Sequence, residues 1–209
     1  MMNILVVSAT ELELEPFIRE DKVCDVLVTG IGIPATIFYL TKLLCQKKYD
    51  LVIQAGIAGT FSGSIKKGTV VLVNKDCFGD VGIYEKGNFN TLFDAGFINK
   101  NEFPFTEGWL VNRHEYLSQA TLALATGITV NKITDDAGQV NELFDKFNPG
   151  IESMEGAASH YVCLLQNVGF LQLRSISNMV GERDKSKWAM KEAITNLNVE
   201  LKSLLKIFM

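Results

Sequence analysis

Short apolar runs alternate along this chain with segments whose apolar residues recur every three to four positions. The short runs predict buried strands, and the periodic segments predict helices. Strands that alternate with helices form a sheet covered on both faces, so we expect an α/β fold. The predicted strands are Asn3–Ser8, Asp25–Thr29, Leu51–Ala55, Thr69–Lys75, Ile128–Ile133 and Phe170–Ser177, and the predicted helices are Glu11–Glu20, Pro34–Gln46, Val140–Phe147, Glu155–Val168 and Trp188–Ile207.

The size and charge of the chain favour one domain that binds a small molecule. Its 209 residues are 47% hydrophobic, which suffices for one sizeable core, so we expect a single domain over residues 1–209. With a formal net charge of −4, the sequence shows no basic stripe of the kind that binding to a nucleic-acid backbone requires. We therefore expect a small ligand and no nucleic acid as the partner.

The cysteines and the apolar runs predict the cellular compartment of the protein. The four cysteines lie far apart in the sequence, which favours buried thiols in a reducing compartment over a disulfide framework or a zinc site. The first residues lack the features of a signal peptide, and no stretch approaches the roughly 20 apolar residues that span a bilayer. We expect a cytoplasmic protein that does not associate with membranes.

The region from Phe78 to Gly108 departs from the alternating pattern. It is rich in glycine, asparagine, phenylalanine and charged residues, and its periodicity is weak. Long irregular segments inside compact domains are usually functional or mobile. Its aromatic residues, including Phe103-Pro104-Phe105, are expected either to cover a ligand or to form a subunit interface, and the sequence leaves both open.

Two glycine-containing segments follow predicted strands. The segment from Thr29 to Ala35 has the spacing of a dinucleotide-binding fingerprint, but the next strand does not end on the acid that would hold ribose hydroxyls. A glycine turn with Pro34 in the first helical turn is therefore favoured. The segment Gln54-Ala55-Gly56-Ile57-Ala58-Gly59-Thr60 ends a strand where missing side chains allow a ligand or a helix to approach closely.

Ligands in open α/β sheets bind at the carboxyl ends of strands. At three such ends this chain carries small or polar residues, namely Ser8-Ala9, the residues from Gly56 to Gly59, and Ser177-Asn178. These ends are therefore the candidate binding edge.

Two glutamates are predicted in first helical turns at this edge. Glu13 belongs to Thr10-Glu11-Leu12-Glu13, a capping box whose glutamate reaches back to the backbone, and the local sequence favours this role over that of a base for water. Glu155 either interacts with the helix dipole or accepts hydrogen bonds from two adjacent sugar hydroxyls. The residues around Glu155 leave both roles open.

Further polar residues lie outside these two first turns. Asp135-Asp136 is expected to be a solvated turn, because a third oxygen ligand for a metal is missing at suitable spacing. Arg183 lies in a charged loop beside Asn178 and is placed to meet an anionic substrate group. His114 and His160 lie outside these motifs and receive no role.

Taken together, these motifs resemble the purine nucleoside phosphorylase and nucleosidase superfamily over nearly the whole chain. The resemblance implies a three-layer α/β/α sandwich around a mixed, twisted central sheet, assembled into homodimers or higher homo-oligomers. The matching segments, in the family's order, are Ser8-Ala9-Thr10-Glu11-Leu12-Glu13, Thr29-Gly30-Ile31-Gly32, Gly56-Ile57-Ala58-Gly59, Ser153-Met154-Glu155-Gly156-Ala157 and Ser175-Ile176-Ser177-Asn178.

The resemblance implies hydrolysis rather than phosphorolysis. Phosphorylases of this family commonly place an arginine and a serine where this chain has Gln54 and Ile57. A phosphate dianion without a compensating cation would be poorly held, so water is the expected nucleophile. In the related methylthioadenosine and adenosylhomocysteine nucleosidases, a glutamate in the place of Glu13 activates this water, and one in the place of Glu155 binds the ribose hydroxyls. Neither a metal nor an organic cofactor is expected.

Asn178 departs from the adenine-releasing nucleosidases, which carry there an aspartate that passes a proton to purine N7. An amide cannot deliver such a proton, but it can donate a hydrogen bond to N7 and accept one from a protonated ring nitrogen. Asn178 therefore suits a 6-oxopurine such as hypoxanthine.

The segment Gly181-Glu182-Arg183-Asp184, with Trp188 after it, resembles the futalosine hydrolases of this superfamily. Futalosine is an inosine analogue whose 5′ side carries a carboxyphenyl ketone. Either Arg183 or the Phe103-Pro104-Phe105 segment is expected to meet this group.

The expected reaction is hydrolysis of the N-glycosidic bond of futalosine, which yields hypoxanthine and dehypoxanthine futalosine in the alternative menaquinone pathway. Three alternatives remain open: a methylthioadenosine and adenosylhomocysteine nucleosidase, a phosphorylase, and a non-catalytic nucleoside-binding protein. The expected catalytic residues are Glu13 and Asn178, and the expected substrate-binding residues are Ala58, Gly59, Met154, Glu155, Ser177 and Arg183.

Overall fold

The computed structural model describes residues 2–19 and 24–209 of the chain. Glu20, the last residue of the first predicted helix, lies outside the described residues. The strands are β1 (Ile4–Ser8), β2 (Asp25–Val28), β3 (Leu51–Thr60), β4 (Val70–Asp76), β5 (Gly82–Glu85), β6 (Asn88–Thr91), β7 (Leu110–Val111), β8 (Leu124–Thr129), β9 (Ile151–Ser153) and β10 (Gly169–Met179). The helices are α1 (Glu11–Ile18), α2 (Ile33–Gln46), α3 (Tyr116–Gln119), α4 (Ala137–Phe147), α5 (Gly156–Leu165) and α6 (Met190–Phe208), and a short 3₁₀ turn spans Lys185–Lys187.

A mixed sheet forms the centre of the fold. β10 pairs with β3 in parallel and with β4 in antiparallel orientation. From β4 the sheet continues through β8 and β9 back to β3, so these five strands close into a ring. β1 and β2 extend the sheet from β3 in parallel orientation, β7 pairs with β4, and β5 and β6 form a separate hairpin.

Two helical layers cover the extended part of this sheet. Successive strand residues point to opposite faces. Ile4 and Val6 of β1 accordingly pack in a core with residues of α1 and α6, whereas Leu5 and Val7 pack in a second core with residues of α2 and α5. The three-layer α/β/α sandwich is therefore confirmed. None of the helices in the described ranges combines the length and the apolar character that crossing a membrane requires.

Several element boundaries differ from the prediction. β3 continues to Thr60 and β10 to Met179, because the two strands pair with each other over this length. The predicted strand at 128–133 instead spans Leu124–Thr129. Beyond its end, the backbone N–H groups of Asn131 and Lys132 donate to the Asp80 side chain, at 2.6 and 3.1 Å, instead of to a neighbouring strand.

The last helix also starts later than predicted. Trp188 ends the 3₁₀ turn, and α6 begins at Met190. Asp184, just before the 3₁₀ turn, accepts a hydrogen bond from the Ser186 backbone N–H at 3.0 Å. It therefore caps the 3₁₀ turn.

Asp76 is fully buried at the end of β4 and anchors the start of α5. Its Oδ1 accepts a hydrogen bond from the Thr129 hydroxyl at 3.0 Å, and its Oδ2 accepts one from the Gln172 amide at 3.1 Å. The Thr129 hydroxyl accepts a hydrogen bond from the Ala157 backbone N–H, in the first turn of α5, at 2.7 Å. This network fixes the position of the α5 N-terminus.

The stability of the fold should depend on pH through Asp76. Burial raises the pKa of Asp76 from 3.8 to about 6, although hydrogen bonds from Gln172 and Thr129 oppose the shift. An acid whose pKa rises on folding stabilises the fold below its unfolded pKa and loses this contribution as the pH rises through the folded value. Relative to Asp76→Asn, the wild-type protein should lose about 2 kcal/mol of unfolding free energy between pH 4 and 7. Urea unfolding of both proteins at several pH values measures this difference, and a difference independent of pH would contradict the expectation.

Candidate active site

The carboxyl ends of β1, β3 and β10 meet β9 and the start of α5 around a cavity of about 300 Å³. This volume is at the lower end of the range for small-molecule sites. All eight predicted site residues line it, namely Glu13, Ala58, Gly59, Met154, Glu155, Ser177, Asn178 and Arg183. The structure therefore brings together residues that are spread over most of the sequence.

Glu13 takes part in the capping box and also lines the cavity. Its Oε2 accepts hydrogen bonds from the Thr10 backbone N–H at 3.0 Å, the Thr10 hydroxyl at 2.9 Å and the Ser8 hydroxyl at 3.0 Å. Its Oε1 accepts a hydrogen bond from the Ile57 backbone N–H at 3.1 Å. Glu13 can therefore both cap α1 and act on a water molecule, because Oε2 accepts the capping hydrogen bonds while Oε1 faces β3.

Glu155 stands at the N-cap of α5, one residue before the helix. Its Oε1 accepts a hydrogen bond from the Gly32 backbone N–H at 2.9 Å. Gly32 has a φ of +93°, a conformation that favours glycine. The predicted glycine turn is confirmed, and it also holds a glutamate of the site. Burial raises the pKa of Glu155, whereas Arg174 and the Gly32 N–H lower it.

Arg174 is a residue of this site that the sequence analysis missed. It lies on β10 and is 1% exposed. Its Nη1 lies 3.9 Å from Glu155 Oε2 and 3.4 Å from the Ile57 carbonyl oxygen. Its Nε and Nη2 have no hydrogen-bond partner among the described residues. A buried cation requires compensating charge, and the nearby glutamates supply it. The available sequence signal was that Arg174 is the one charged residue of the predicted strand Phe170–Ser177.

Gly56 allows Arg174 and Glu13 to approach each other. A Cβ atom at position 56 would lie 2.4 Å from Arg174 Nη1 and 3.0 Å from Glu13 Oε1. Both distances are shorter than normal van der Waals contacts, so a larger residue would displace one of the two side chains. Gly56, in the middle of β3, therefore serves both packing and the site.

Ser177 and Asn178 lie near the carboxyl end of β10, beside β3. The Ser177 hydroxyl is 2.7 Å from Asn178 Oδ1 and 3.2 Å from the Ala58 carbonyl oxygen. The Asn178 Nδ2 donates a hydrogen bond to the Met179 carbonyl oxygen at 2.8 Å. These contacts orient an amide side chain that is only partly buried at the cavity wall.

Arg183 and Trp188 form another wall of the cavity. The Arg183 guanidinium carbon lies 5.6 Å from the centre of the Trp188 ring, and the indole N–H donates to the Glu182 carbonyl oxygen at 2.9 Å. This cation–π contact holds the guanidinium at the cavity wall.

The Phe103-Pro104-Phe105 segment does not line this cavity within the described ranges. Phe105 instead packs against Tyr161 of α5, with ring centroids 6.1 Å apart, and Phe103 is exposed. Arg183 and this aromatic segment were the two alternatives for contact with the 5′ group of a substrate. Within this chain, Arg183 lines the cavity and the aromatic segment does not.

The remaining polar candidates lie away from this site. Asp136 is exposed and accepts a hydrogen bond from the Gln139 backbone N–H at 3.0 Å, so it caps α4. His160 is buried in α5, and burial lowers its pKa to about 4. In the part of the chain that the structure describes, no three His, Cys, Asp or Glu side chains are arranged to hold a metal ion.

Comparisons of the sequence identify its relatives. The model of the phosphorylase superfamily matches residues 17–208. A futalosine hydrolase from Thermus thermophilus is 30% identical over 183 residues, which cover 86% of this chain and 80% of that protein. A 5′-methylthioadenosine/S-adenosylhomocysteine nucleosidase from Tolumonas auensis is 27% identical over 87% of this chain and 81% of that protein.

Solved structures share the fold. The structure of a futalosine hydrolase from Helicobacter pylori has a TM-score of 0.79 and 15% identity, covering 98% of this chain and 97% of that chain. The methylthioadenosine/adenosylhomocysteine nucleosidase of Helicobacter pylori, in complex with an Immucillin compound, has a TM-score of 0.82 and 16% identity, covering 99% of this chain and 98% of that chain. The resemblance recognised from the motifs is thus confirmed. The chain belongs to the phosphorylase superfamily, as a nucleosidase that hydrolyses N-glycosidic bonds.

Proposed function

We propose that this nucleosidase hydrolyses futalosine to hypoxanthine and dehypoxanthine futalosine, as a step of the alternative menaquinone pathway. The observation that carries the proposal is the cavity that Glu13, Glu155 and Asn178 line together, with Arg174 buried beside Glu155. The futalosine hydrolases among the relatives support it. We propose that residues 1–209 act as one domain in the cytoplasm, without a cofactor.

Glu13 is the proposed general base. The contacts from Thr10 and Ser8 to Oε2 fix the carboxylate, so its Oε1 is held at the floor of the cavity. Water bonds to C1′ of the ribose while the C1′–N9 bond breaks and its electron pair leaves with the purine. Glu13 accepts the proton that the water loses. A fixed carboxylate reduces the entropy lost in reaching this geometry.

Glu155 is the proposed ribose ligand. Its Oε1 is already bound to the Gly32 N–H, and a carboxylate has further lone pairs for two adjacent hydroxyls. Arg174 lies beside it and favours the ionised form, which is the form that accepts hydrogen bonds. The ribose is thereby held with C1′ near Glu13.

Asn178 is proposed to stabilise the departing base. Its amide donates a hydrogen bond to N7 as negative charge builds on the purine. An aspartate at this position would suit the methylthioadenosine and adenosylhomocysteine alternative, which other relatives of the chain favour. The asparagine therefore favours hypoxanthine over adenine as the leaving base.

Arg174 supplies a cation near the site, which bears on phosphorolysis as an alternative reaction. The Arg174 guanidinium lies next to Glu155. Glu13 Oε1 is also close to it, because both groups lie against Gly56. Two carboxylates beside one guanidinium oppose the binding of a phosphate dianion. Hydrolysis therefore remains the proposed reaction.

The direct test is to identify the products with and without phosphate. Purified protein is incubated with futalosine in phosphate-free buffer and in phosphate buffer, and the products are separated and weighed by mass spectrometry. Hydrolysis gives hypoxanthine and an unphosphorylated sugar product at the same rate in both buffers. A phosphorylated sugar, or a rate that requires phosphate, would show a phosphorylase.

Exposed apolar residues at the mouth of the cavity support a homodimer or higher homo-oligomer. Leu12 and Ile31 line the cavity, yet Ile31 is 61% exposed, and Phe38 on α2 is 60% exposed. A second copy that packs on these side chains would remove them from water and close the mouth. Light scattering coupled to size-exclusion chromatography should give at least twice the monomer mass of 23.2 kDa, and a mass of one chain would contradict the proposal.

A further inference from the structure

Glu152 is a third glutamate of the cavity, and it takes no part in the reaction proposed above. It lies on β9, lines the cavity and is 8% exposed. Its Oε2 has no hydrogen-bond partner among the described residues. Burying a carboxyl group without such a partner is costly, so a partner from a ligand is the expected explanation.

The sheet register places Glu152 opposite Asn178. Glu152 pairs with Gly59 of β3, and Gly59 pairs on its other side with Asn178 of β10. Residues paired directly across strands extend to the same face of the sheet. Gly59 has no side chain, so only backbone atoms separate Glu152 from Asn178 along this row of the sheet. Two strand spacings amount to about 10 Å, which leaves room for a purine with a hydrogen bond at each edge.

Charged neighbours influence the protonation of Glu152. Burial and the nearby Asp80 raise the pKa of Glu152 to about 7, and Arg183 opposes this shift. Arg183 is the cation held against Trp188 at the cavity wall. The ionised form of Glu152 offers only acceptors to a ligand.

We propose that Glu152 is a specificity-determining residue that accepts a hydrogen bond from N1–H of a 6-oxopurine base, while Asn178 contacts the N7 edge. The proposal rests on the proposed function and deepens it. A 6-oxopurine carries a hydrogen at N1, whereas a 6-aminopurine presents a lone pair there, which a carboxylate repels. Sites built to bind a polar hydrogen discriminate strongly against analogues that lack it.

Replacing Glu152 by glutamine tests the proposal. The amide can turn its oxygen toward N1–H or its NH₂ group toward a bare N1, so it should accept both kinds of base. We expect the ratio of kcat/KM for futalosine to kcat/KM for its 6-amino analogue to fall at least about tenfold in Glu152→Gln. A ratio equal to that of the wild-type protein would overturn the proposal, even if both rates fell together, because a purely structural role lowers both rates alike.

Glu142→Gln is the matched control. The Glu142 carboxylate accepts a hydrogen bond from the Phe89 backbone N–H at 2.8 Å and lies outside the proposed site. It should leave the ratio unchanged, and a similar fall in this variant would mean that charge alone causes the effect and would overturn the proposal. Futalosine turnover by the wild-type protein distinguishes a failure of the proposed function from a failure of the proposed role of Glu152. Absence of futalosine turnover would refute the function and Glu152 together, whereas turnover with an unchanged ratio in Glu152→Gln refutes only the role of Glu152.

Discussion

Replacement of Glu13 by glutamine should lower kcat by about 10²- to 10⁴-fold and leave the affinity for substrate nearly unchanged. The amide cannot accept the proton that the attacking water loses. Its oxygen can still accept the capping hydrogen bonds from Thr10 and Ser8, so the start of α1 should persist. Steady-state kinetics with futalosine, together with calorimetric binding to the variant, measures both effects.

Glu11→Gln is the matched control for Glu13→Gln. Glu11 lies in the same first turn of α1 and is exposed. It removes the same charge from the helix N-terminus without touching the cavity, so kcat should stay near the wild-type value. Near-normal turnover in Glu13→Gln would leave Glu13 with a capping role only and would remove the proposed base.

Replacement of Arg174 by methionine should lower kcat/KM at neutral pH by about 10²-fold. The guanidinium Nη1 lies 3.9 Å from Glu155 Oε2, and burial already raises the pKa of Glu155. Without the cation the pKa of Glu155 rises further, so a smaller fraction is ionised to bind the ribose. The acid limb of the profile of kcat/KM against pH should therefore move to higher pH.

Arg174→Lys separates the charge of Arg174 from its packing. A lysine keeps the positive charge but not the forked geometry, so the acid limb should stay closer to the wild-type position than in Arg174→Met. The profiles of the three proteins between pH 5 and 9 measure the shift. A lower rate in Arg174→Met with an unshifted acid limb would show that Arg174 supports only the fold.

The sequence alone predicts the layers of this fold and the order of its motifs. Residues 4–7 are apolar and fully buried in the structure, so a continuous apolar run correctly predicts a strand covered on both faces. The capping box at Thr10 and Glu13 also forms as local sequence predicts. Such features depend on residues close together in the chain.

Features that depend on strand pairing could not be predicted in this way. Arg174 meets Glu155 only because β10 lies beside β3, and the register sets Arg174 opposite Gly56. Glu152 belongs to a strand of three residues, which is too short to show periodicity. The extension of β3 past Gly56 likewise follows from its pairing with β10, since glycine is a poor strand former on its own.

The most direct test of the central claim is purine release, without phosphate, from futalosine, inosine, methylthioadenosine and adenosylhomocysteine in parallel. The proposed roles of Asn178 and the cavity predict hypoxanthine from futalosine and little purine from the other three. Release of adenine from the two thio-nucleosides in preference to hypoxanthine from futalosine would contradict the proposed substrate, while the fold and the superfamily would stand.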